Sequence, residues 1–208
     1  MRKVIFFLLV LSVFQSYSQQ LLDENIQNLI EVYAEKKEIN CEITIDIEIE
    51  GMQIPQKVIT VNFEEGKKPK VKGKGLALVP KKGMINQFNE LFNTPLQAIK
   101  MDENGEELDY KLVSLINSSE WVTADIRFNS ITNQIFESTI NTRKHGTIKA
   151  KHSYKEYEYP IRSILTFDVK KFKVPLRFIG RQNQNIDLPN GDDQVQGKIV
   201  LQYRYIDE

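Results

Sequence analysis

The sequence is poor in the residues that chemistry most often needs. Among 208 residues there is one cysteine, Cys41, which excludes an intramolecular disulfide and any multi-cysteine metal centre. Two histidines, His145 and His152, leave little material for a histidine-bound metal, and both are expected at exposed turn or strand positions. An excess of one charge is missing as well. Lys plus Arg and Asp plus Glu are 28 each, so the formal net charge is zero. A dedicated nucleic-acid binder carries a basic excess, and no nucleic-acid partner is expected here. No Gly-x-Ser-x-Gly or His-Glu-x-x-His pattern occurs. The sequence reads as that of a protein that is not an enzyme and uses no cofactor or metal.

What is present has ordinary globular proportions, with 41% apolar, 10% aromatic and 27% charged residues. The N-terminus stands apart. Arg2 and Lys3 precede an apolar run from Val4 to Phe14, and Ser16-Tyr17-Ser18 gives a small-x-small cleavage pattern. That run of 11 residues falls short of the roughly 20 that a spanning helix needs. Residues 1–18 are therefore expected to be a cleaved export signal with Gln19 as the mature N-terminus, which predicts a periplasmic or secreted protein. Residues 19–208 contain no linker or repeat and are expected to form one domain of net charge −2.

The mature chain opens on a helical period. Leu22, Ile26, Leu29, Ile30 and Tyr33 recur at spacings of three and four over residues 20–37. The period then changes to two. Ile43, Ile45, Ile47 and Ile49 alternate with Thr44, Asp46 and Glu48, the pattern of a strand with one buried and one wet face. Residues 57–63 return with Ile59, Val61 and Phe63 on one side, and 70–79 read as a third strand. A short second helix is expected over 84–93, with Phe88 and Phe92 on its apolar stripe and Pro95 ending it. Strands follow over 107–116, 120–129, 134–141, 146–155 and 158–169, and a last one over 198–206. The expected fold class is α+β: a large curved antiparallel sheet of eight or nine strands, a half-open barrel wrapped around two helices. A sheet that large curls, and its concave apolar side can bind a ligand. A fully packed barrel or sandwich fits the same pattern.

The candidate cavity lining is Ile43, Ile45, Ile47, Ile59, Val61, Phe63, Phe88, Phe92 and Trp121, set against the alternative that these form ordinary core. An acyl chain needs no polar motif, because ten buried methylenes contribute about 8 kcal/mol. One charge run stands out: Lys67, Lys68, Lys70, Lys72 and Lys74, with Lys81 and Lys82 beyond. It can dock on an anionic membrane surface or an acidic partner, or simply keep a hairpin edge solvated. Asp102-Glu-Asn-Gly-Glu-Glu107 lacks the ligand ladder of a calcium loop and reads as a hairpin turn.

Three stretches carry a family likeness. Phe88-Asn-Glu-Leu-Phe-Asn-Thr-Pro-Leu-Gln-Ala-Ile99, Glu107-Leu-Asp-Tyr-Lys-Leu-Val-Ser-Leu115 and Trp121-Val-Thr-Ala-Asp-Ile-Arg-Phe-Asn129, followed by Ser130-Ile-Thr-Asn-Gln-Ile-Phe136, run in the order helix, turn, strand, hairpin. In that order the chain resembles the LolA-like periplasmic lipoprotein carriers and lipoprotein-sorting proteins over about residues 20–168. The resemblance implies a lipid or an acylated protein as partner. The carriers' early-strand arginine, which latches a lid, has no counterpart, since no arginine lies between Arg2 and Arg127. Residues 170–208 lie outside the resemblance. The other reading is a secreted interaction module with a filled sheet, binding protein by an edge or by the lysine hairpin.

Overall fold

Ten strands pair in one antiparallel sheet, and the last of them lies near its middle. The strands are β1 (Ile39–Ile49), β2 (Lys57–Phe63), β3 (Lys70–Gly73), β4 (Leu96–Asn104), β5 (Glu107–Ser114), β6 (Trp121–Asn129), β7 (Ile135–Thr142), β8 (Gly146–Ser153), β9 (Arg162–Asp168) and β10 (Gln196–Tyr205). Among the described residues two helical segments accompany them, α1 (Glu24–Ala34) and α2 (Gln87–Phe92). This computed structural model describes residues 22–34, 39–49, 54–63, 70–73, 87–155, 159–169 and 196–206. The strand order is β3-β2-β1-β10-β9-β8-β7-β6-β5-β4. Neighbouring strands from β4 to β9 are consecutive in sequence, so hairpins build that half, and β10 closes the gap between β9 and β1.

Alternation does the local work. On β1, Ile43, Ile45 and Ile49 are buried, and their register partners on β10 are Tyr203, Leu201 and Gly197. Gly197 is required by its neighbour, because a Cβ there would lie 2.6 Å from the Phe167 ring on β9. Gly105, with φ of 62°, supplies the left-handed residue that turns β4 into β5. Bulges between Trp121 and Thr123 and between Arg127 and Phe128 sharpen the twist of β6 where its large rings stand.

Helix α1 is fixed at its start. The Asp23 carboxylate accepts the Asn25 backbone N–H at 2.9 Å, and the Asp23 carbonyl receives the N–H groups of Ile26 and Gln27. Ile26 and Leu29, one turn apart, are fully buried against the sheet.

Several expectations are corrected. The large antiparallel sheet is as expected and is not closed into a barrel, with β3 and β4 at its edges. Among the described residues it has ten strands rather than eight or nine, and the molecule is mostly β rather than α+β. Nor, among those residues, does the sheet wrap two comparable helices: α1 has eleven residues and α2 has six. A tenth strand, β4, was expected only as a turn region. Its exposure runs unbroken from Ile99 to Asn104, because an edge strand with its side chains in water carries no alternating signal. His152 was expected to be exposed and is buried. The C-terminal segment, outside the family likeness, supplies β10 in the interior of the sheet.

Candidate ligand-binding face

One face of the sheet carries nearly all of its large apolar side chains, in two separate clusters. The first lies on β4 to β7 beneath the helices. It joins Ile26 and Leu29 of α1 and Phe88, Leu91 and Phe92 of α2 to Tyr110, Leu112, Trp121, Ile126 and Phe128. The second lies on β1, β2, β9 and β10 and includes Cys41, Ile43, Ile45, Ile59, Val61, Phe167, Ile199 and Leu201, with Ile47 packed at its margin. The proposed lining residues therefore share a face without forming one group. Ile43, Ile45, Ile47, Ile59 and Val61 belong to one cluster, and Phe88, Phe92 and Trp121 to the other. The Phe63 side chain lies outside the described residues.

Between the clusters the face changes character. Register places Tyr110, Ile126, Ser138, Ala150, Leu165, Ile199 and Ile47 in one row across β5 to β1. The next row runs His152, Ser163, Leu201, Ile45. Small and polar side chains thus occupy the middle of the sheet, and all are buried: Ser138 at 3% exposure, Ala150 at 3%, His152 at 7% and Ser163 at 1%. His152 Nδ1 lies 2.8 Å from Ser163 Oγ, and Ser163 also interacts with the Tyr203 hydroxyl. Ser138 Oγ is buried without a hydrogen-bond partner, as is Trp121 Nε1.

Aromatic side chains connect this seam to the helices. Tyr33 of α1 meets Phe88 and Phe92 of α2 at ring separations of 5.2 and 5.6 Å, and Phe88 meets His152 at 5.3 Å. Tyr154, just beyond β8, donates its hydroxyl to the Ile135 carbonyl at 2.9 Å and interacts with Tyr33. Burial holds the His152 imidazole down at about 4, so the ring is neutral near pH 7. Burial likewise pushes the Cys41 thiol up to about 11 and raises Tyr33, Tyr154, Tyr203 and Tyr205 above the ordinary phenol range. Cys41 at that value is a thiol rather than a nucleophilic thiolate. Among the described residues no group of three or more His, Cys, Asp or Glu side chains is arranged to hold a metal ion.

The opposite face is charged. Asp109 receives Arg127 in a forked pair at 2.7 and 2.8 Å, and Glu137 pairs with Lys151 at 2.7 Å on the same row. Lys198 pairs with Glu48 and Arg204 with Glu42. Exposed pairs of this kind stabilise little individually; they keep this face wet. Of the lysine run, Lys70 and Lys72 stand exposed on edge strand β3, whereas Lys67, Lys68 and Lys74 lie outside the described residues, as does the export signal.

Sequence reading missed Ser138, His152, Ser163 and Tyr203 as a group. The signal for His152 was present. Ile148, Ala150 and His152 alternate with Lys149, Lys151 and Ser153, which puts His152 on the apolar side. Its pairing with Ser163 depends on the β8–β9 register, which no local pattern reveals.

No family model matches the chain, and no curated protein matches it. Its fold is similar to that of solved structures. A LolA superfamily protein from Nitrosomonas europaea aligns over 88% of this chain and 93% of its own, with a TM-score of 0.53 at 10% identity. A domain named for outer membrane lipoprotein sorting, from Vibrio parahaemolyticus, aligns over 89% and 93% with a TM-score of 0.43 at 9% identity. A DUF1329 family protein from Desulfovibrio piger aligns over 88% and 92% with a TM-score of 0.48 at 6% identity. The resemblance to the LolA superfamily is one of fold.

Proposed function

We propose that this protein binds a lipid or a lipidated protein on the apolar face of its sheet and acts as a carrier without catalysis. The observation that carries the reading is the run of small and polar side chains, Ser138, Ala150 and Ser163, on the buried face between the two apolar clusters. A sheet evolved only to be filled gains more from leucine or isoleucine at such positions. The fold likeness to a LolA superfamily protein, together with the chain's resemblance in element order to lipoprotein carriers, supports the reading by analogy only. The N-terminal pattern adds export by a cleaved signal, and the lysines around Lys70 and Lys72 add a contact for anionic headgroups.

The test is titration with a neutral fluorescent long-chain acyl ester, followed by displacement with unlabelled acyl compounds. Saturable binding near one equivalent, lost in the Ala150→Leu variant at unchanged thermal stability, is expected. Absence of binding, together with strong destabilisation of Ala150→Leu by overcrowding, would mean that the face is a filled core.

A second reading draws on one observation. Edge strand β4 exposes Ile99 at 42% and Met101 at 59%, and Leu115 beyond β5 is 62% exposed. Those side chains suit a protein partner laid along the edge, and this interaction-module reading gains weight if no acyl ligand binds.

A further inference from the structure

We infer that the seam around Ser138 is the polar end of the ligand site, where an ester or amide carbonyl of an acyl ligand accepts a hydrogen bond from the Ser138 hydroxyl. This rests on the acyl-binding reading above and adds the class of head group.

Ser138 Oγ is the starting point. It is buried, has no hydrogen-bond partner, and lies on the same face as both apolar clusters, between Ile126 on β6 and Ala150 on β8. A buried hydroxyl left without a partner is destabilising, and alanine at this position would avoid the cost. On its β8 side the neighbouring side chains are small or already engaged, with Ala150 across the pair and the hydrogen-bonded His152–Ser163 couple one row on.

The kind of acceptor follows from charge. Every charged residue of β6 to β10 occupies a register position on the opposite face: Asp125, Arg127, Glu137, Lys149, Lys151, Arg162, Asp168, Lys198 and Arg204 alternate with the apolar-face positions. His152 is neutral through burial. Among the described strand residues, β6 to β10 offer a carboxylate or phosphate in this seam no countercharge, which is unfavourable. A neutral carbonyl needs only a donor, and Ser138 supplies one. The chain attached to that carbonyl then lies on Leu165, Ile199 and Ile47, along the same row toward β1.

A matched pair of ligands isolates the carbonyl: 1-monopalmitoylglycerol, an ester, and 1-O-hexadecylglycerol, its ether counterpart. Both are measured by displacement of the neutral fluorescent acyl ester, on the wild-type protein and on Ser138→Ala. The wild type is expected to bind the ester about fivefold to tenfold more tightly, the value of one hydrogen bond. Ser138→Ala is expected to bind both with the ether's affinity and to melt no lower than wild type. Equal wild-type affinities for ester and ether would overturn the inference while leaving acyl binding intact, and so would a preference that survives in Ser138→Ala. Binding of neither ligand would overturn the acyl-binding reading and this inference with it. The wild-type comparison stands alone if the variant folds poorly.

Discussion

The Phe88 ring stands edge-on to the His152 imidazole, with centroids 5.3 Å apart and planes inclined by 67°. One side chain of a six-residue helix thus covers the only buried histidine among the described residues. The contact joins the helix-covered cluster to the polar middle of the sheet.

Removing that ring uncovers the histidine. Phe88→Ala is expected to raise the His152 pKa from about 4 toward the ordinary value of about 6.5, because water reaches the imidazole. The titration is followed by NMR at the imidazole carbons. Phe88 is also packed against Tyr33, so the substitution is expected to cost about 3–5 kcal/mol of stability. An unchanged histidine pKa in a folded variant would mean that Phe88 does not shield it.

The same burial predicts how stability varies with pH. Unfolded, His152 takes up a proton near pH 6.5; folded, it resists until about pH 4. Between those values the unfolded chain binds more protons, so stability falls as pH falls, by about 3 kcal/mol in total. Asp23 and Asp109, whose pKa values are lowered in the fold, contribute stability that is lost only at more acid pH, below about 4. Denaturant midpoints from pH 7 to 4 are expected to decline in wild type and to flatten in His152→Gln.

Tyr110 donates its hydroxyl to Asp23 Oδ1 at 2.7 Å across 87 residues of sequence. It ties the cap of α1 to the sheet, and burial followed by this hydrogen bond pushes the tyrosine pKa up to about 12. Asp23→Ala removes both the cap and the tie and is expected to cost about 2 kcal/mol. Tyr110→Phe removes only the tie and should cost less. Chemical denaturation ranks them, and equal costs would mean that the cap contributes nothing.

Local alternation made most of the sheet legible. Ile43, Ile45, Ile47 and Ile49 read as a strand because one face is buried and the other wet, and the hairpins from β5 to β9 follow from short turns between such runs. Strand β4 was illegible for the converse reason, since an exposed edge has no face to alternate. The place of β10 beside β1 was also hidden, because Ile45 meeting Leu201 is a long-range register that local residues do not encode. The same limit applied to the site. Ile43 and Phe88 were correctly read as apolar, yet their assignment to different clusters depends on strand order. Ser138 and Ser163 looked like ordinary strand serines until pairing brought them to one buried seam.

Acyl binding on the sheet face is tested most directly by purifying the protein without detergent, extracting it with organic solvent and measuring lipid by mass spectrometry. About one acyl lipid per protein molecule is expected, enriched in species with an ester or amide carbonyl and depleted by Ala150→Leu. Reproducible absence of lipid from protein that also fails to take up added long-chain acyl compounds would contradict it.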